Sequence, residues 1–124
     1  MGGRKILSKD FITKDSGKRV KFETGMQRDT AEDKPRFDLI VPEDQKLEDT
    51  LLYRWAMLLL RGAKKYDERN WEKASTKEEL KRFKDSAFRH FMQWFCGDED
   101  EDHAVAVLFN INGAEYVKQR LIKK

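Results

Sequence analysis

Five consecutive carboxylates, residues 98–102, are the part of the sequence whose side chains are best suited to chemistry. They follow Gly97 and precede His103, and a second histidine, His90, lies in the segment before them. Carboxylate oxygens are preferred ligands of hard cations such as Mg²⁺ and Mn²⁺, and a magnesium site usually leaves room for substrate phosphates. The stretch therefore predicts a divalent-cation site between two helices. A solvated turn, or an acidic first turn of a helix, is the open alternative.

The residues on either side of the acidic run favour the cation site. Apolar residues spaced three or four apart around His90 put this histidine on the buried face of its helix. Asn110 lies seven residues after His103, and hence near the same face of the next helix. A buried amide without a partner costs about 1–3 kcal/mol. We therefore expect His90, His103 and Asn110 to pair with one another and with the carboxylates around an ion.

The composition indicates a small, soluble, helical protein. The chain has 124 residues, with 40% charged and 39% apolar side chains and two prolines, which predicts one domain. A net charge of +3 does not by itself indicate a nucleic-acid or membrane partner, although Lys and Arg dominate residues 4–21. Cys96 is the single cysteine, in agreement with a reducing compartment. With no signal-peptide pattern and no long apolar run, we expect a cytoplasmic protein.

Three long helices are predicted to position the candidate residues, after a poorly structured extension over residues 1–24. The first helix begins directly after Pro42, where Glu43 and Asp44 suit a first turn, and ends near Tyr66. Residues 25–42 before it are predicted to be loop.

The second helix is predicted to be capped by Ser75 or Thr76 and to end at about Cys96, because Gly97 is a suitable helix stop. The third covers about residues 101–120. The sequence has no alternation long enough to predict a sheet, no glycine-rich phosphate loop, and too few cysteines for a zinc site of the usual kind.

Four stretches of the chain resemble a known family. They read ETGMQRDTAEDKPRFDLI (23–40), RGAKKYDERNWEKA (61–74), SAFRHFMQWFCGDEDEDH (86–103) and AVLFNINGAEYV (106–117). In order and spacing they are similar to the phage-encoded dATP/dGTP diphosphohydrolases, including the MazZ type, which are MazG-like nucleoside triphosphate pyrophosphohydrolases. The resemblance covers roughly residues 23–120.

The resemblance implies an all-α, MazG-like bundle of antiparallel helices over residues 25–124 that assembles as a dimer, a tetramer or another homo-oligomer. It implies dependence on two or more Mg²⁺ or Mn²⁺ ions. It also implies cleavage of a purine deoxynucleoside triphosphate, dGTP or dATP, between the α- and β-phosphates to give the monophosphate and pyrophosphate. The setting that it implies is the cytoplasm of a phage-infected bacterium.

The positions that resemble those of the family lie within the acidic run and on both sides of it: Glu72, Ser86, Arg89, His90, Glu101, Asp102, His103 and Asn110. The implied catalytic residues are His90, Glu101 and Asp102, and the implied metal ligands are Glu72, Asp98, Glu101 and Asp102. One departure is that the EExxE helix of the wider MazG superfamily is absent, while the ExxD pattern of Glu99 and Asp102 stands at a helix start.

Substrate contacts are expected from basic, aromatic and amide side chains. Cations would meet the charge of the leaving pyrophosphate, Tyr66 and Trp71 would stack on the base, and Asn70 would read the base edge. For Trp71, plugging one end of the bundle is the alternative. The complete set is Lys34, Arg36, Lys65, Tyr66, Asn70, Trp71, Arg89, His103 and Asn110.

In the chemistry expected from this set, carboxylates hold the ions, and His90 or one carboxylate orients or deprotonates the attacking water. Two other functions stay open. One is a phage accessory protein that binds nucleic acid through its basic amino-terminal arm. The other is a non-catalytic regulatory bundle whose acidic turn is merely solvated.

Overall fold

The computed structural model describes residues 11–123, which are mostly helical, as predicted. The α-helices are α1 (Leu51–Lys65), α2 (Lys77–Phe95) and α3 (His103–Ile122). Three short 3₁₀ helices cover Phe37–Ile40, Leu47–Asp49 and Asn70–Lys73, and two strands cover Arg19–Lys21 (β1) and Gln27–Asp29 (β2). Within the described range, none of the helices carries the long apolar stretch that a membrane span requires. The chain divides into two compact units, one ending at Arg36 and the other beginning at Phe37.

The first unit contains an antiparallel hairpin in which Arg19 pairs with Asp29. Gly25, at φ 93°, makes the turn between the strands. No sheet was predicted here, because each strand is only three residues long. Side chains of the hairpin also pair: Arg19 donates to Asp15 at 2.8 Å and 2.9 Å and lowers the pKa of Asp15 to about 2. Residues 1–10 of the predicted extension lie outside the described part of the chain.

The start predicted for the first helix is wrong. Helix α1 begins at Leu51 rather than after Pro42, and Thr50 is its cap. The hydroxyl oxygen of Thr50 accepts from the Tyr53 amide at 3.1 Å and donates to the Leu47 carbonyl at 2.7 Å. This cap satisfies an amide that the helix itself leaves unpaired, whereas Glu43 offers only a favourable charge.

The predicted ends of the second helix are confirmed. Thr76 and Glu79 form a reciprocal capping box, in which the Thr76 side chain accepts from the Glu79 amide at 3.1 Å. At the other end, Cys96 is the C-cap and Gly97 adopts φ 84°, a left-handed conformation that glycine takes at little cost.

Helix α3 is the element on which the second unit is built. Helix α2 runs antiparallel to it, because Phe83 meets Gly113 whereas His90 meets His103. The 3₁₀ helix at Asn70–Lys73 lies along the carboxyl-terminal half of α3, where Arg120 donates to two backbone carbonyls at 2.7 Å and 3.1 Å. The buried apolar residues are small and mostly on α3: Ala74, Val105, Ala106, Ala114 and Val117.

Close approach of α2 and α3 depends on Gly113. A Cβ atom at this position would lie 2.5 Å from the ring of Phe83, well inside van der Waals contact. Gly62 of α1 has no neighbouring atom within 4 Å of the equivalent point. The two glycines therefore differ in what surrounds them, although both are helical.

We predict that Gly113→Ala lowers the free energy of unfolding by about 1–3 kcal/mol, because the added methyl forces Phe83 out of its place. Gly62→Ala is the matched control and should raise stability by roughly 0.5–1 kcal/mol, since alanine is the better helix former. Urea denaturation followed by circular dichroism measures both. A Gly113→Ala protein as stable as the wild type would contradict the packing described for these helices.

Candidate functional site

A short turn brings the acidic run against the end of α2. After Gly97, the Asp98 amide donates back to the Gln93 carbonyl at 3.0 Å, which closes the helix end. Five residues after Gly97, Asp102 caps α3, and its side chain accepts from the Val105 amide at 3.5 Å. The carboxylates therefore lie at the amino terminus of α3, where the helix dipole favours negative charge.

Two buried histidines connect α2 to this turn. Nδ1 of His90 lies 2.8 Å from Nδ1 of His103, and Nε2 of His103 lies 2.7 Å from Oδ1 of Asp100. His90 is 7% exposed and His103 is 2% exposed, so the two rings take hydrogen-bond partners mainly from the protein. The three side chains form one continuous hydrogen-bonded chain from the interior to the surface.

The direction of these hydrogen bonds follows from what each group can do. An ionised carboxylate only accepts, so Nε2–H of His103 donates to Asp100. With His103 neutral, its Nδ1 accepts from Nδ1–H of His90. Burial, and next the nearby Arg89 guanidinium, lower the pKa of His90. The hydrogen bond from His103 lowers the pKa of Asp100, which stays ionised.

Asp102 is held by an arginine of another helix. Arg54 of α1 donates from Nε to Oδ2 at 2.8 Å and from Nη2 to Oδ1 at 2.6 Å. This two-pronged geometry is the strongest that an arginine and a carboxylate form. The hydrogen bonds from Arg54 lower the pKa of Asp102, and the charge of Arg61 acts in the same direction. Both oxygens of Asp102 are thus engaged within the protein.

One group of side chains within residues 11–123 has its potential ligand atoms close enough for a cation. Asp98, Asp100 and His103 each offer one atom, and these atoms lie within 4.8 Å of one another. Ligands 2.1 Å from a magnesium ion are separated by about 4.2 Å at most, so small rotations of the exposed carboxylates suffice. The two carboxylates are ligands that suit Mn²⁺ or Mg²⁺, whereas imidazole is more typical of softer transition metals. The carboxylates therefore fit the expected metal.

The other residues predicted as metal ligands have different surroundings in the described range. Glu72 accepts from Arg69 at 2.8 Å and, like Glu101, lies outside the Asp98 group. Glu101 is exposed at the end of the turn, where its carbonyl accepts from the His103 amide at 3.0 Å. Its metal-binding role, like that of Glu72 and Asp102, stays a prediction.

Trp71 packs against aromatic side chains of α3. Its ring meets Tyr116 edge-on at a centroid distance of 5.3 Å and Phe109 at 6.5 Å. Asn70 begins the 3₁₀ helix that carries Trp71. Tyr66 is 59% exposed, and the Lys65 ammonium lies 5.2 Å from its ring centre. Of the two aromatic residues, Tyr66 has the accessible face.

The remaining predicted contacts lie on α2, on α3 and in the other unit. Arg89 donates to Ser86 and to Gln93, each at 3.3 Å, and is the exposed neighbour of His90. Asn110 is buried and donates to the Ala106 carbonyl at 2.8 Å, so its amide binds its own helix. The unit that ends at Arg36 contains Lys34 and Arg36.

Two residues of this arrangement were not among the predicted site residues. Asp100 was one of five equivalent carboxylates, and its spacing of three from His103 was the available signal. Arg54 lies inside the otherwise largely apolar stretch LLYRWAMLLL, residues 51–60. A charge inside such a run needs a partner, and this requirement would have justified a search for one.

The lowered pKa of His90 predicts a pH-dependent stability. The unfolded chain takes up a proton on His90 near pH 6.5 and the folded chain only at lower pH. The contribution is therefore full above pH 6.5 and is lost as the pH falls below it. We expect the metal-free wild type to lose more free energy of unfolding between pH 7.5 and pH 5.5 than His90→Gln. Equal losses in urea denaturation would show that His90 is not held neutral by burial.

Comparison with known proteins gives one match. A search of curated proteins and a search of solved structures each returned no similar chain. The family model described as dATP/dGTP diphosphohydrolase, N-terminal, matches residues 24–121. This range contains α1, α2, all of α3 but its last residue, and every residue of the hydrogen-bonded chain described above. Since the match covers most of the sequence, the chain belongs to the dATP/dGTP diphosphohydrolase family.

Proposed function

We propose that this protein is a metal-dependent pyrophosphohydrolase that converts dGTP or dATP to the monophosphate and pyrophosphate. The family name supports a hydrolase that acts on purine deoxynucleoside triphosphates. The observation that carries the proposal is the cluster of Asp98, Asp100 and His103 at the amino terminus of α3. This cluster provides hard oxygen donors beside an imidazole at the surface, where a charged substrate has access.

In this proposal Asp98, Asp100 and His103 would hold a Mg²⁺ or Mn²⁺ ion, and Glu101 and Asp102 are further carboxylates of the same acidic run. A divalent cation there supplies charge neutralisation for the triphosphate oxygens and for the leaving pyrophosphate. His103 uses Nε2, because its Nδ1 is directed at His90. Any additional ion would rely on carboxylates from outside the cluster, such as Glu72.

The hydrogen bond between the two histidines limits which residue could accept a proton from the attacking water. With Nε2 of His103 holding a cation, the proton of His103 would be on Nδ1 and would be donated to Nδ1 of His90. A neutral His90 would then carry its own proton on Nε2, where it could donate a hydrogen bond to a water or a phosphate oxygen. Deprotonation of the water is left to a carboxylate, and Glu101, exposed on the same turn, is the candidate.

The phosphates and the base require contacts beyond the cluster. Arg89 lies on the turn of α2 that carries His90 and has an exposed guanidinium, so it is suited to an anionic leaving group. Lys65 and the accessible ring of Tyr66 are candidates for phosphate and base. The amide of Asn70 remains a candidate for the base edge.

Assembly with further copies is part of the proposal. Helix α2 exposes an apolar stripe formed by Phe88, Phe91, Met92 and Phe95, and Phe88 and Phe95 are 69% and 71% exposed. An open apolar groove of about 350 Å³ lies between this stripe and α3. Contiguous exposed apolar surface of this kind is typical of protein–protein interfaces, and the small core leaves much stability to be gained by burying it.

The two alternative functions have less support. In the hairpin unit, Lys18 pairs with Glu32 at 3.2 Å, and Arg19 pairs with Asp15 and Asp29. Part of the basic arm is thus neutralised, which weakens the case for nucleic-acid binding. A merely solvated turn does not account for Asp100 and His103 being joined to a buried ring of α2.

Activity is tested by incubating each deoxynucleoside triphosphate with the full chain and Mn²⁺, and separating the products by chromatography. We expect pyrophosphate and monophosphate from dGTP and dATP. Asp98→Asn and Asp100→Asn should each lower kcat at least 100-fold, and Asp102→Asn should nearly abolish turnover with the helical fold intact. Asp85→Asn, which breaks only a surface pair with Lys81, is the control. Wild-type-like turnover in both Asp98→Asn and Asp100→Asn would remove the cluster from the site.

Assembly is tested by sedimentation velocity. We expect the wild type to sediment as a multiple of the monomer mass, and Phe88→Glu to shift the distribution toward monomer, because a buried charge without a partner is costly. Ile122→Glu is the matched control, since Ile122 is 82% exposed but lies outside the α2 stripe. A monomeric wild type, or an unchanged Phe88→Glu oligomer, would contradict this interface.

A further inference from the structure

Arg54 has the closest recorded contact between α1 and the acidic turn. Its guanidinium spans 48 positions of sequence to reach Asp102, with bonds of 2.8 Å and 2.6 Å. Asp102 lies between Asp100 and His103, two members of the candidate cation cluster. Its side chain also caps α3. The ion pair therefore holds the turn at Asp102, which lies between the proposed ligands Asp100 and His103 in the sequence.

We propose that Arg54 is a positioning residue of the cation site: by clamping Asp102 it fixes the turn so that Asp98, Asp100 and His103 converge. This inference rests on the proposed function, because it concerns the same cluster. It gives Asp102 the role of an anchor, since both of its oxygens already accept from Arg54. It also gives α1 a role in the site, although no residue of α1 belongs to the cluster.

The geometry explains why a clamp is needed. Asp98 and Asp100 are exposed, and five adjacent carboxylates repel one another, so the turn on its own favours spread conformations. Asp100 is fixed at one point by His103 at 2.7 Å. The Arg54 fork adds a second fixed point and restricts both the position and the rotation of the backbone between residues 100 and 103.

Electrostatic repulsion alone predicts the opposite effect of Arg54 on cation affinity, so an experiment can distinguish the two explanations. A guanidinium close to a cation site repels the cation, so its removal should tighten metal binding. If Arg54 acts mainly through position, its removal should weaken binding in spite of this gain. Outer partners of metal ligands typically contribute about 10–100-fold to affinity.

Arg61 provides the matched control. It lies seven residues after Arg54 on α1, hence near the same face, and its charge acts on Asp102. The hydrogen bonds recorded for the Asp102 side chain within residues 11–123 come from Arg54 and the Val105 amide. Arg61→Met thus removes an equal charge from the same region and leaves the clamp in place.

The experiment measures Mn²⁺ binding to the full chain without nucleotide, by electron paramagnetic resonance of the free ion. We expect Arg54→Met to raise the Kd about 10–100-fold and Arg54→Lys, which keeps the charge but loses the fork, to give a smaller increase. Arg61→Met should leave the Kd unchanged or lower it. Arg54→Met/Asp102→Asn should bind no more weakly than the weaker single variant, because the two residues act as one unit.

A second measurement does not depend on the metal. Amide hydrogen exchange of residues 98–105 in the metal-free protein should accelerate in Arg54→Met and in Arg54→Lys, but not in Arg61→Met, while circular dichroism reports the helical fold. Unchanged exchange, a Kd unaffected or lowered by Arg54→Met, or equal weakening by Arg54→Met and Arg61→Met would each overturn the proposal. A wild type that binds no Mn²⁺ would instead overturn the proposed cation site, and exchange would still decide whether Arg54 clamps the turn.

Discussion

The pairing of two buried imidazoles is the constraint on which the arrangement of α2, α3 and the acidic turn depends. The His103 side chain is 1% exposed, and a buried polar ring without partners would cost several kcal/mol. One nitrogen is satisfied by α2 and the other by Asp100, so the ring determines both the position of α2 and the direction of the turn. Asp100 is thereby held in place, whereas the run of carboxylates to which it belongs would otherwise be free in solvent.

The parts of the fold that could be predicted from the sequence are those determined locally. The Thr76 cap and the Gly97 stop depend on residues within one turn of the helix end, and both were predicted correctly. The inward direction of His90 followed from the apolar spacing around it. The start of α1 was wrong because two local signals competed, and the Thr50 hydroxyl stabilises the helix start more than the acidic residues after Pro42 do.

What could not be predicted depends on distant residues or on turn geometry. No local pattern specifies that Arg54 reaches Asp102, because the two residues lie in different helices. Which of five carboxylates points back toward His103 depends on backbone angles after Gly97 that the residue types do not determine. For the same reason Asp100 was not among the predicted ligands. The family resemblance supplied the expected chemistry and its region, and the structure identifies the neighbouring side chains.

The central place of α3 has a consequence for how the protein is made. This helix is the last of the described elements in chain order, yet α2, Arg54 of α1 and the segment around Trp71 all require it for their partners. During synthesis, Arg120 leaves the ribosome after Glu72 and Ala74, whose carbonyls it binds. The earlier helices therefore emerge before α3 can cover their apolar faces. Folding of this unit is consequently completed only after α3 has been synthesised.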